Sequence, residues 1–253
     1  LLKVRVIPTL LFKDIGLVKG VGFNSWRRVD TVLPAIKVYN MREVDELILL
    51  DISASSQNRD PDYKEIEEFS KECFIPFTVG GGIKTLEHIK LLLRSGADKV
   101  CINSEAYNNI NLIKEASDMF GSQCIVISID AKLHEDGNYY CYSNCGTICI
   151  NKRVEDWAKI VEANGAGEIL ITSIENDGTM KGYDLELIKR ITDVVDIPVI
   201  ASGGAGSYED MYKAINYSKA DAVAAASIFH FTEQTPKCAK NYLGLKGIPV
   251  RRT

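Results

Sequence analysis

The sequence predicts a (β/α)₈ barrel, and three observations predict it. Eight short apolar runs, rich in Val and Ile, alternate with helical patterns: VRVIPTL, LILLDI, IPFTV, KVCIN, CIVISID, EILITSI, IPVIAS and AVAAAS. Runs of that length and composition suit strands buried on both faces. The chain has 253 residues, the length at which eight strand–helix units close into a barrel. It also repeats itself at a half-chain shift. RVIPTLLFK (5–13) aligns with CIVISIDAK (124–132), ELILLDI (46–52) with EILITSI (168–174), FTVGGGI (77–83) with IASGGAG (200–206), and DKVCINS (98–104) with DAVAAAS (221–227). Four units per half close into eight. A doubly wound open sheet would leave the repeat unexplained.

The opening LLKVRVIPTLLF is short, carries Lys3 and Arg5 and lacks a small-residue cleavage site, so it reads as the first strand and not as a signal peptide. The longest irregular stretches are 14–31, 53–63 and 133–152, after the first, second and fifth strands. In a barrel they would lie over the C-terminal face, where active sites form. LEHIKLLLRSGA (86–97) and VEDWAKIVEANGA (154–166) have apolar spacing near 3.6 and a Gly at the end, the mark of a helix and its stop. No Pro- or Ser-rich linker divides the chain, which predicts a single domain over 1–253.

Apolar residues make up 46% of the chain and the formal charge is −4. A large core is expected, and a partnership with nucleic acid or a membrane surface is not. No apolar run approaches the ~18 residues of a bilayer span. Seven cysteines, an odd number without secretory context, predict reduced thiols and a cytoplasmic protein.

The chemistry-bearing residues cluster at strand ends. Gly80, Gly81 and Gly82 follow the third strand, and Asn103 and Ser104 the fourth. Gly203, Gly204 and Gly206 follow the seventh, and Ala226 and Ser227 the eighth. Glycines let backbone N–H groups approach a ligand, and helix N-termini with a Ser hydroxyl favour phosphate. Two such clamps across one mouth predict a substrate phosphorylated at both ends. Asp177-Gly178 adds a turn beside the second clamp, and Lys19, in the glycine-bearing loop after the first strand, could reach an anion.

Asp130 ends an apolar strand. A partly desolvated carboxylate there suits general acid–base work. Its repeat partner is Leu11, so only one of two equivalent strand ends carries an acid. Asp51 ends the second strand in a supporting place. At the opposite strand ends, Arg5, Glu46, Lys99 and Glu168 gather two bases and two acids that could form a salt-bridged ring. Cys141, Cys145 and Cys149 are spaced C-x₃-C-x₃-C, which fits neither a zinc nor a cluster motif, and His88, His134 and His230 lie far apart. No metal or cofactor is expected.

From about residue 3 to 231 the chain resembles the cyclase subunit of imidazole glycerol phosphate synthase, through KDIGLVKG, LLDISAS, FTVGGGI, GADKVCINS, GAGEILITSIENDGTMKGYD, IPVIASGGAG and AAASIFHF. The resemblance implies a barrel lyase of histidine biosynthesis. Such a lyase takes ammonia from a glutaminase partner through the barrel and uses it on a two-phosphate formimino ribotide. The products are imidazole glycerol phosphate and an aminoimidazole carboxamide ribotide. Asp130 then falls on one of the family's two catalytic aspartates, and the glycine and Ser/Asn clusters on its phosphate sites. Arg5, Glu46, Lys99 and Glu168 fall on its ammonia gate, and Asp98 on a contact to the glutaminase. The family's other catalytic aspartate ends the first strand, where this chain has Leu11; Asp14 is not that group. The departure admits a second expectation: a paralogue that delivers ammonia to an amidotransferase of acetamidino-sugar synthesis, without cyclase activity. A sugar-phosphate isomerase of the related barrel family would need no charged gate.

Overall fold

The computed structural model describes residues 3–14, 16–42 and 44–251. Its first half comprises β1 (Arg5–Lys13), β2 (Gly16–Val21), β3 (Asn24–Asp30), α1 (Val32–Met41), β4 (Leu47–Asp51), α2 (Tyr63–Lys71), β5 (Phe77–Gly80), α3 (Leu86–Arg94), β6 (Lys99–Ile102), α4 (Ser104–Asn108) and α5 (Asn111–Phe120). Its second half comprises β7 (Ile125–Leu133), β8 (Tyr139–Ser143), β9 (Ile148–Arg153), α6 (Val154–Ala163), β10 (Glu168–Ser173), α7 (Leu185–Thr192), β11 (Val199–Ser202), α8 (Tyr208–Asn216), β12 (Ala222–Ala225), α9 (Ser227–Phe231) and α10 (Pro236–Leu245).

Strands β1, β4, β5, β6, β7, β10, β11 and β12 pair in parallel in that order, and β12 pairs back to β1. The sheet is a closed eight-stranded barrel with helices between the strands, as the alternation predicted. Side chains along each strand point alternately in and out. Ile7, Ile48, Cys101, Val126, Leu170, Ile200, Ala222 and Ala224 form one buried cluster inside the barrel. The outward residues, among them Val6, Leu10, Leu47 and Leu49, pack with the helices in a larger core. The helices bury one stripe each; α7 buries Leu187, Ile188 and Ile191. Its start is fixed by Asp184, whose side chain accepts from the Leu187 amide. Helices α3 and α6 stop at Arg94 and Ala163, and Gly96 and Gly165 take the left-handed positions just beyond, at φ +101° and +93°.

Two of the stretches expected to be irregular are β-hairpins. Strands β1 and β7 run nine residues each and leave the barrel as they go, so each pairs backwards with the chain that follows. β1 pairs antiparallel with β2, and β2 with β3; β7 pairs with β8, and β8 with β9. Their sequences hid this because β3 and β9 are mostly exposed and carry no apolar alternation. The third stretch is irregular as far as Asp62 and then enters α2. Among the described residues, no helix is long and apolar enough to cross a membrane.

Candidate active site

The two long strands place positions 11 and 130 equivalently. Leu11 is the first residue of β1 to pair with its hairpin, opposite Val18, and it also pairs with Leu50 of β4. Asp130 is the first of β7 to pair with its hairpin, opposite Tyr142, and it also pairs with Thr172 of β10. Both line one cavity, partly open to solvent, at the C-terminal mouth of the barrel. Asp130 therefore does not end its strand, as the sequence suggested; the strand continues to Leu133 and turns the carboxylate into the mouth.

Asp130 is 8% exposed. Burial pushes its carboxyl up to about 7, the nearby Asp177 adds to the rise, and hydrogen bonds from Asn103 and Ser128 oppose it. Asn103 Nδ2 donates to Asp130 Oδ2 at 2.8 Å, so this amide serves the carboxylate and is not a free phosphate donor. Its Oδ1 is buried without a partner, as are Thr9 Oγ1 and Ser227 Oγ; all three residues line the cavity.

The two glycine clusters match in part. The aligned pair Gly81 and Gly204 agree at φ +110° and +107°, and Gly82 and Gly203, not equivalent in the repeat, are also left-handed at +71° and +87°. A Cβ on Gly82 would come 2.6 Å from the Arg59 carbonyl, and one on Gly203 2.7 Å from that of Ser173. On Gly81 and Gly204 it would run into the backbones of Asp51 and Gly182. Asn103 and Ala226, the residues before α4 and α9, share an unusual backbone at φ, ψ of −122°, −88° and −124°, −68°. Both clusters line the cavity, with Ser104 and Ser227 at the first positions of the two short helices. Ser104 Oγ accepts from the Asn144 amide, which ties the second hairpin to the first cluster.

Lys19 lies in strand β2 and not in a loop. It is 3% exposed, and its Nζ donates to both oxygens of Asp177 at 2.7 and 2.6 Å. Its charge is matched by Asp177, so an anion in the cavity would compete with that carboxylate for it. The backbone amide of Gly22 also donates to the Asp177 carbonyl, and Gly178 packs against Gly20, so the hairpin is seated on the turn after β10. Asp51 accepts from Ser53 N, Ser53 Oγ and Ala54 N, and from Arg59 at 2.8 Å, which holds the loop after β4. Phe23 and Trp26, from the hairpin, also line the cavity. Sequence reading set 14–31 over the mouth but, taking it as irregular, gave no register to say which of its side chains turn inward. Thr9 was legible as a polar residue at an inward position of an apolar strand.

At the other end of the barrel the four charged residues close a ring. Arg5 Nη1 meets Glu46 and Nη2 meets Glu168, each at 2.6 Å; Lys99 Nζ meets Glu46 at 3.1 Å and Glu168 at 2.8 Å. Thr78 Oγ1 donates to the free oxygen of Glu46 at 2.7 Å. Burial pulls the Arg5 guanidinium down, but Glu168 and Glu46 outweigh it and hold it above its usual range. Asp98 is exposed at this face, and its Oδ2 accepts from Phe77 N. Its repeat partner Asp221 accepts from Val199 N in the same way. Asp98 thus has a structural bond of its own.

The other residues singled out are dispersed. Cys141 is buried, Cys145 lines the cavity from the hairpin turn, and Cys149 Sγ lies 3.4 Å from Asn151 Oδ1; all are free thiols. His88 is on α3, His134 contacts Tyr142, and His230 on α9 is pushed down to about 4 by burial and Lys19.

A family profile described as "Histidine biosynthesis protein" matches residues 5–235. The chain is 48% identical to the imidazole glycerol phosphate synthase subunit HisF of Natranaerobius thermophilus, over 98% of both chains. It is 45% identical to a putative imidazole glycerol phosphate synthase subunit hisF2 of Campylobacter jejuni, over 99% of both. It is also 45% identical to the subunit HisF of Methanocaldococcus jannaschii, over 98% of both.

Proposed function

The chain belongs to the histidine biosynthesis protein family, and from that premise we propose that it is an ammonia-using cyclase subunit acting on a ribotide with two phosphates. The observation that carries this reading is one barrel axis with a different chemistry at each end. At the mouth, Asp130 stands half-titrated near neutral pH, between Gly81–Gly82 with Ser104 on one side and Gly203–Gly204 with Ser227 on the other. A carboxyl near 7 is poised to give and to take protons at working pH. The paired glycine turns offer backbone amides to two anionic groups. At the far end the ring of Arg5, Glu46, Lys99 and Glu168 closes the barrel bottom. Between them lies the apolar cluster of Ile7, Ile48, Val126 and Leu170, which favours neutral ammonia over ammonium.

In this reading the ring admits ammonia from a glutaminase partner. Met41, Phe74 and Met119 support a partner at that face: they are 76%, 82% and 60% exposed and lie at or beyond helix C-termini, on the ring's side of the barrel. Asp98 is exposed beside them, and the relatives are named as subunits. In the cavity the ribotide's phosphates engage the two clamps, and Asp130 transfers protons as ammonia adds and the imidazole ring closes. The products are imidazole glycerol phosphate and the carboxamide ribotide.

Leu11 favours a second reading. An alkyl group stands at the position equivalent to Asp130, and a barrel that only conducts ammonia to another acceptor needs no second acid. One experiment separates the two: ammonium-dependent turnover of the ribotide at alkaline pH by the purified chain, with Leu11→Asp run beside it. Turnover by the unmodified chain supports the cyclase. Activity in Leu11→Asp alone supports the ammonia-delivery subunit, for instance in acetamidino-sugar synthesis. Silence in both defeats the cyclase reading.

A further inference from the structure

We propose that Asp177 supplies the second acid–base carboxylate of this cavity, held in reserve by Lys19 until a substrate phosphate draws the ammonium away. The proposal rests on the cyclase reading above.

Four carboxylates line the cavity: Asp51, Glu105, Asp130 and Asp177. Asp51 is committed on both oxygens to Ser53, Ala54 and Arg59, and so holds its loop. Glu105 lies in the first turn of α4, beside the first phosphate clamp, where a bound phosphate repels it. Asp130 and Asp177 are left. In the half-chain alignment Asp177 falls on Ser55, which also lines the cavity. The second half therefore has an acid at both places where the first half has Leu11 and Ser55.

Lys19 is the only cation among the described residues lining the cavity. A ligand with two phosphates has to draw on it. The hairpin backbone is fastened to the turn by the Gly22 amide and the Asp177 carbonyl, while the lysine has a flexible four-carbon stem. The ammonium can move and the backbone can stay. Once it has moved, Asp177 is a carboxylate without its counter-ion in the cavity that Asp130 also lines.

The proton balance then closes. The Asp177 carboxylate accepts a proton from the substrate nitrogen, forming its O–H bond. The Asp130 carboxyl, which burial favours in its protonated form, gives its proton to the departing substrate atom, breaking its own O–H bond. Exchange with water returns both groups to their starting state. Leu11 in this scheme is an apolar wall.

The test uses the full chain in four forms: unmodified, Asp177→Asn, Leu11→Asp and the double variant. Ammonium-dependent turnover is followed across pH, and ribotide binding is measured by calorimetry. The expected result is an active unmodified chain whose kcat falls about 10²–10⁴-fold in Asp177→Asn, with the limb of the pH profile that reports the base lost. Ribotide should bind Asp177→Asn at least as tightly as the unmodified chain, because Lys19 is released. The double variant should regain at least about tenfold in kcat, since a carboxylate returns to the mouth. If Asp177→Asn does not fold, Asp177→Ser takes its place. The proposal is overturned if Asp177→Asn keeps its kcat and pH profile, or loses binding in step with kcat. It is also overturned if only Leu11→Asp turns over, which leaves the cavity assignment standing. If no form turns over, the cyclase reading falls with it.

Discussion

Replacing Asp130 with Asn should stabilise the protein, and increasingly so as pH rises. The carboxyl is moved from its ordinary 3.8 up to about 7, chiefly by burial. A raised acid is bound by its proton more tightly in the folded than in the unfolded chain. Nothing is lost below the unfolded value; stability drains away as pH climbs from about 4 through about 7, and above that the cost is constant. The shift is roughly three pK units at about 1.36 kcal/mol each, so the full cost is about 4 kcal/mol. Of this, about 2 kcal/mol develops between about pH 5.5 and 8.5, because only the unfolded carboxyl is already ionised at the lower pH. Asn is neutral at both, is nearly the same size and can still accept from Asn103. Urea unfolding of the two proteins at these pH values measures the difference directly. An advantage for Asp130→Asn that grows by about 2 kcal/mol is expected, together with loss of turnover. A flat difference, or a variant less stable at the higher pH, would refute the claim that the site stores a destabilised acid.

Three further outcomes are expected. Gly204→Ala puts a Cβ against the Gly182 backbone at a φ of +107°, and should cost roughly 1–3 kcal/mol in urea unfolding while weakening phosphate binding by calorimetry. Lys99→Met leaves Glu46 and Glu168 with Arg5 alone. Its stability loss should stay below the ~3–5 kcal/mol of a fully buried pair, because the lysine is partly exposed; with a glutaminase present, glutamine-driven turnover should fall more than ammonium-driven turnover. Lys240→Met removes the ammonium that meets Asp45 at 3.3 Å, both side chains being under 5% exposed, and should lower stability by roughly 3–5 kcal/mol in the same unfolding assay.

By itself the sequence determined the barrel, the places of its eight strands and the ends at which chemistry gathers. These follow from local rules: Val- and Ile-rich runs bury both faces, glycines mark the left-handed turns, and the repeat doubles every inference. It also located Leu11 opposite its equivalent Asp130, because that comparison needs only alignment. Tertiary structure decided what those residues meet. The strands β3 and β9 carry no pattern of their own, and became strands because β2 and β8 offer them hydrogen-bonding edges. The ion pair of Lys19 was not legible, since its partner Asp177 is remote in sequence and reached only when the first hairpin folds across the mouth. The bond from the Asn103 amide to Asp130 joins residues 27 apart and no spacing announces it. Burial and a second carboxylate set the titration of Asp130, and both depend on distances that no spacing along the chain records.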